Sequence, residues 1–297
     1  MDIIDPHHHL WDLENLHYPW LAEPIEHIVG DYSAIRKSYL LADFRADAAN
    51  QALKRSVHLE AASDPGDPVD ETAWLQALAD DPRSGGFPHG IVAHADLGAD
   101  NAEDTLERHC RHANIRGIRQ MLNYGDEPKL RVAGRGDLMI DDGWRAGFAL
   151  LKKYGLSFDL QIWPWQMEDA ASLAGDFPDI QLILNHAGSP IEQDDAGLAR
   201  WRLGMARLAQ APNVAVKISG LGMFDPRWTT ESIRPLVLET IDGFGVERAM
   251  FASNFPVDKL MGGYDRVWES FDAITAAFSE DERRKLFHDN AKRFYRL

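Results

Sequence analysis

Eight short apolar or β-branched runs recur along the chain, each followed by sequence of helical character, and this alternation constrains the fold more than any other feature. The runs are Ile3-Ile4, then SVHLEA (56–61), GIVAHADL (90–97), IRGIRQML (115–122), LSFDLQIW (156–163), IQLILNHA (180–187), VAVKISGL (214–221) and AMFASNF (249–255). The helical segments that alternate with them begin at 41, 69, 101, 141, 166, 197, 231 and 264, and a last one spans 279–295. The segment over 141–155 starts on acids, ends on lysines and stops at Gly155, as a helix dipole favours. Ser279 and Glu282 form a capping-box pattern. QLILN and VAVKI are apolar on both faces, as parallel strands covered by helices should be. Strict alternation, a count of eight and a length of 297 residues predict an α/β fold, a (β/α)8 TIM barrel in one domain over 1–297. An open doubly wound sheet would need a glycine-rich phosphate loop behind its first strand, and no GxGxxG or GxxxxGK[ST] occurs.

Composition narrows the partners. Lys and Arg total 31 against 47 Asp and Glu, a net charge of −16, which argues against nucleic acid and anionic membrane. No apolar run approaches the roughly 20 residues that span a bilayer, and the start of the chain is acidic and polar. A single cysteine, Cys110, suits a reducing cytoplasm. It is read as lying mid-helix, which disfavours a nucleophilic role. A small-molecule substrate is the expected partner, with a homo-oligomer left open.

In a barrel of this kind the reactive groups sit at the C-terminal ends of the strands. Those ends carry His7 and His9, His58 and Glu60, His94 and Asp96, Arg119 and Gln120, Gln161 and Trp163, His186, Lys217 and Ser219, and Asn254. In IIDPHHHLWD, His7 and His9 share a face of the first strand, about 6.6 Å apart along it, while His8 points to the surrounding helices. Asp5 shares their parity and is expected either deeper on the same face or as a hydrogen-bonding partner that supports the two histidines. Two imidazoles so spaced suit a divalent metal, or they hydrogen-bond a substrate. His186 ends an apolar run as a ligand, a base or a core residue. Arg119 either clamps a substrate carboxylate or carbonyl, or forms a salt bridge across the barrel. Trp163 and Trp165 either wall the pocket or fill the core. Substrate contacts are expected from His58, Glu60, His94, Gln161, Trp163, Lys217 and Asp258. The pocket's shape is expected to depend on the loops over 10–40 and 122–141. No GxSxG elbow marks a serine nucleophile.

The pieces IIDPHHHLWD, HYPWL, GIRQ, FDLQIWPWQM, LILNHAGSP, VAVKISGL, SNFPVDKL and NAKRFYRL together resemble the amidohydrolase superfamily, and within it the lactonase-type branch, also called amidohydrolase 2 or metal-dependent TIM-barrel hydrolases. The resemblance runs from the first strand to the end of the sequence. It implies a hydrolase that opens a sugar lactone or a dicarboxylate lactone by water attack on the ester carbonyl. It implies His7, His9 and His186 as ligands of one divalent metal, zinc the leading candidate, unless the pocket works without metal. It assigns His186, Asn254 and Arg119 to catalysis. Two alternatives accompany it: a metal-dependent decarboxylase of an unsaturated or aromatic acid, and a catalytically impaired ligand-binding barrel. Two departures stand out. The fourth and fifth strands end on Arg119-Gln120 and Gln161, where two-metal members carry lysine and histidine. The eighth reads Ser253-Asn254-Phe255-Pro256, where the family pattern has aspartate. A neutral amide has no useful basicity, so the base falls to His186, His58, Glu60 or Asp258, or the metal itself makes hydroxide by lowering the pKa of bound water to about 7.

Overall fold

The computed structural model describes residues 1–64 and 66–297. Eight parallel strands follow one another around one sheet in chain order: β1 (Ile3–His8), β2 (Leu53–Leu59), β3 (Gly90–His94), β4 (Ile115–Arg119), β5 (Ser157–Leu160), β6 (Leu182–Leu184), β7 (Val214–Ile218) and β8 (Ala249–Phe251). A parallel bridge from His8 to Phe255 brings the two edges together, and the His9 N–H donates to the Phe255 carbonyl at 2.7 Å. The sheet is thus a nearly closed (β/α)8 barrel, as the alternation predicts. From β3 onward the strands are shorter than the apolar runs because each run continues into the loop that shapes the mouth.

The intervening helices are α1 (Pro19–Ala22), α2 (Leu41–Asp47), α3 (Val69–Asp80), α4 (Ala102–Cys110), α5 (Asp142–Tyr154), α6 (Met167–Asp176), α7 (Asp195–Ala209), α8 (Thr230–Phe244) and α9 (Tyr264–Ile274). Gly155 closes α5 with a left-handed φ of 64°, the conformation a side chain would penalise. The segment over 279–295 is not one continuous helix. It forms α10 (Glu280–Arg284), a π-turn (Lys285–Asp289) and α11 (Asn290–Phe294), and the Ser279–Glu282 capping box is realised. Cys110 is the last residue of α4, not a mid-helix one. No described helix is long and apolar enough to cross a membrane.

Residues of β1, β2, β3, β6, β7 and β8 form a small interior cluster of Ile4, Val57, Leu59, Val92, Ile183, Ala215 and Met250, sealed by Tyr295 and Ala291. Outward residues such as Ile118, Phe158 and Leu184 join the larger core beneath the helices. This division is what lifts the polar strand ends to one rim.

Candidate active site

β1 delivers its histidines through an irregularity. Asp5 aligns with Ser56 and His8 with His58, so three steps on β1 match two on β2. The extra residue reverses the alternation. Ile4 faces the interior and Asp5 faces α9, where its carboxylate accepts from Tyr264 Oη at 3.0 Å and the Ser253 N–H at 3.0 Å. Asp5 is therefore not on the histidine face, contrary to simple parity. Burial raises its carboxyl to about 6, against the hydrogen bonds that lower it.

Beyond the irregularity His7 and His9 turn inward together, their ring centres 5.1 Å apart, and His186 lies 4.6 Å from His7. His8 points outward as predicted, stacked on Phe44 of α2 at 4.1 Å with Nε2 2.9 Å from Ser56 Oγ. His186 reaches the mouth because the chain leaves β6 through left-handed residues, with φ 53° at His186 and 49° at Ala187. Gly220 makes room for it: a Cβ there would come within 2.5 Å of His186 Nδ1.

All three imidazoles are buried, and burial is the main cause holding each well below the usual histidine range. Lys217 depresses His7 further, and Arg119 depresses His9 and His186. Neutral rings keep a lone pair. His9 Nδ1 lies 2.9 Å from the Leu59 carbonyl, so it carries the proton and leaves Nε2 basic. His186 Nδ1 lies 3.0 Å from Ser219 Oγ. Both ring nitrogens of His7 are buried without a hydrogen-bond partner, an expensive state unless something else satisfies them. This donor chemistry fits a divalent metal. Convergence is less complete: among the described residues, no three His, Cys, Asp or Glu side chains already form a metal-holding group.

Arg119 spans the mouth. Its Nε donates to Glu60 Oε1 at 2.6 Å, Nη2 to the Glu60 carbonyl at 2.5 Å and Nη1 to Gln161 Oε1 at 2.8 Å. Burial resists ionisation of Glu60, but Arg119 and His94 outweigh it and hold the carboxyl below the ordinary range. Arg119 thus makes the salt bridge, and it keeps N–H groups that no described residue uses.

A cleft of about 340 Å³ opens beside this pair. Glu60 and His94 line it, with Trp20 from the 10–40 loop and Val132, Ala133 and Leu138 from the 122–141 loop. Of these, Trp20, Val132, Ala133 and Leu138 escaped sequence reasoning, although their loops did not. A second cleft of about 510 Å³, lined by Asp126, Glu127, Asp169, Glu192 and Arg200, is walled by Trp165, one of the two tryptophans expected to wall a pocket or fill the core.

Three expected substrate contacts sit elsewhere. His58 faces outward, accepting from the Leu10 N–H at 3.1 Å and lying 3.7 Å from Glu71 of α3. Burial holds His58 down to about 3 and Glu71 up to about 8, so the two meet as neutral groups. Trp163 is core: it is buried, with Nε1 donating to the Leu130 carbonyl at 2.9 Å. Lys217 lies wholly inside the barrel, paired with Asp159, whose Oδ1 also accepts from Tyr295 Oη at 2.7 Å and Asn185 Nδ2 at 3.2 Å. Asp159, Asn185 and Tyr295 were missed; polar residues on the inward parity of otherwise apolar runs were the available signal for Asp159 and Asn185, and Tyr295, which follows α11, offered none. Gln161 serves Arg119, and Asp258 serves Asn254 at 3.0 Å.

The barrel finds its match in known proteins. The sequence profile of the Amidohydrolase family matches residues 4–297. The chain belongs to the amidohydrolase family. Among its amidohydrolase relatives, the uncharacterized protein y4mH of Sinorhizobium fredii is 52% identical over 99% of this chain and 98% of that one. The L-fucono-1,5-lactonase of Burkholderia multivorans is 29% identical over 99% of this chain and 96% of its own. An amidohydrolase of Burkholderia multivorans, solved with bound zinc, superposes with a TM-score of 0.83 at 28% identity, covering 100% of both chains.

Proposed function

We propose that this amidohydrolase opens a small neutral lactone of the sugar type by adding water to the ester carbonyl. Support comes from the lactonase named among its relatives over nearly the full length. The observation that carries the choice of a neutral substrate is the charge pairing at the mouth. Arg119 is matched by Glu60, and Lys217 by Asp159, so neither cation is left over for the second carboxylate of a dicarboxylate lactone. The cleft instead offers Glu60, His94, Ser63 and Gln120 to hydroxyl groups, beside the apolar Trp20.

The unused N–H groups of Arg119 face the lactone carbonyl and stabilise charge as it gathers on oxygen. Water is held by the Asn254 carboxamide, and a neutral imidazole, His186 in this reading, takes its proton. The new C–O bond forms, the ring C–O bond breaks, and the same proton passes to the departing ring oxygen, giving a hydroxy acid. A divalent ion held by His7 and His9, with His186 left free as the base, would supply Lewis acidity toward the carbonyl.

The test is acid release from L-fucono-1,5-lactone and a panel of other sugar and dicarboxylate lactones, with and without added zinc. Turnover of neutral lactones above dicarboxylate ones is expected. A folded, metal-supplied protein that turns over no lactone would sink the reading.

A further inference from the structure

We propose that Asp258 is a positioning residue that fixes the Asn254 amide with its carbonyl oxygen toward the barrel mouth. Asn254 lies just beyond β8 with a left-handed φ of 58°, a conformation asparagine tolerates better than most residues. Its backbone N–H donates to the His7 carbonyl at 2.8 Å, which ties it to the first strand. A turn then brings the chain back: the Asp258 N–H donates to the Asn254 carbonyl at 3.2 Å. That turn places the Asp258 carboxylate 3.0 Å from Asn254 Nδ2, with Met223 Sδ 3.4 Å from the same nitrogen.

With Asp258 ionised, above the value of about 7 to which burial lifts its carboxyl, both neighbours are acceptors, and thioether sulfur is only a weak one. Rotating the amide by half a turn would set its oxygen against the carboxylate and the sulfur. With the carboxylate ionised the network therefore permits one orientation. In that orientation Asn254 Oδ1 receives no hydrogen bond from any described residue, and it is free for water or a substrate hydroxyl. The carboxylate that the family pattern places at 254 stands four residues further on, acting through the amide. The catalytic meaning of this arrangement rests on the lactonase reading; the orientation itself does not.

The Asn254 side-chain amide pair, assigned in a ¹⁵N–¹H spectrum by its loss in Asn254→Ala, reports the orientation directly. Asp258→Leu, which removes the acceptor, is expected to move that pair and to lower kcat on L-fucono-1,5-lactone more than it changes KM. Asp258→Asn, which keeps an acceptor oxygen, should restore both. An unmoved amide pair in a folded Asp258→Leu protein would overturn the proposal. Should that variant fail to fold, the exchange decides. Asn254→Asp alone sets two carboxylates face to face, and adding Asp258→Asn should raise the melting temperature at pH 8 and regain about tenfold in turnover. Equal behaviour of the single and double variants would overturn it. Absence of turnover in the unaltered protein would count against the lactonase reading alone, since the spectrum still decides the orientation.

Discussion

Arg119 grips Glu60 twice, once through the carboxylate at 2.6 Å and once through the backbone carbonyl at 2.5 Å. Both side chains are almost wholly buried, so the pair is rigid. Removing one member leaves the other charge uncompensated. Glu60→Gln and Arg119→Met should each destabilise the fold by about 3–5 kcal/mol and abolish turnover. Urea unfolding measures the first effect. Because the Glu60 carboxyl lies below its ordinary range, its contribution is present above the unfolded pKa, about 4.3, and is lost as pH falls through the folded value. A variant as stable as the parent would show that the pair is not coupled.

The neutral, buried histidines make acid a destabilising condition. An unfolded histidine takes a proton near pH 6.5, whereas His7, His9 and His186 resist it because of burial. Stability should therefore be full above pH 6.5 and fall below it, by about 1.4 kcal/mol per pH unit for each such residue. His7→Asn should flatten that slope in denaturation curves at pH 5 to 7. Zinc titration by calorimetry should show binding that weakens over the same range, and an unchanged slope in the variant would contradict this account.

Removing His7 or His9 should differ sharply from removing His8. His8→Ala loses the Phe44 stack and the Ser56 hydrogen bond. It should cost about 2 kcal/mol of stability with little change in kcat. His7→Ala and His9→Ala should reduce kcat by about 10²–10⁴. Parallel kinetics and melting curves of the three variants test the inward-outward assignment, and equal losses of kcat would refute it.

Gly220→Ala should damage His186 without touching it chemically. The backbone there has φ +64°, and the added Cβ would approach His186 Nδ1 to 2.5 Å and Met223 Cε to 2.7 Å. A stability loss of about 1–3 kcal/mol should accompany a larger fall in kcat than in substrate affinity. Normal kinetics would mean that His186 has room to move.

Much of this molecule is legible from its residues, for specific physical reasons. Alternating βα periodicity is a repeated signal, so the eight strands and their order follow from it. Strand parity separates His7 and His9 from His8. Parity fails where the backbone is irregular: the extra residue in β1 turns Asp5 to Tyr264. Beyond strand ends parity is also no guide, and Glu60 and His58 illustrate this. The two share a parity, yet Glu60 joins Arg119 while His58 packs near Glu71. The Lys217–Asp159–Tyr295 group joins residues from β7, β5 and the end of the last helical segment. No local pattern announces such a pairing. Trp20 and Val132 reach the cleft through loops, whose paths local sequence does not encode.

The single surplus residue in β1 works as a phase shifter. Before it, the strand keeps time with the apolar interior through Ile4; after it, the beat is reversed and the inward positions belong to His7 and His9. Deleting Pro6 would put the strand back in one rhythm. With one residue fewer, His7 and His9 would fall on the parity of Ile4, so they would still face inward and His8 outward, but the strand would be one residue shorter on its way to the rim.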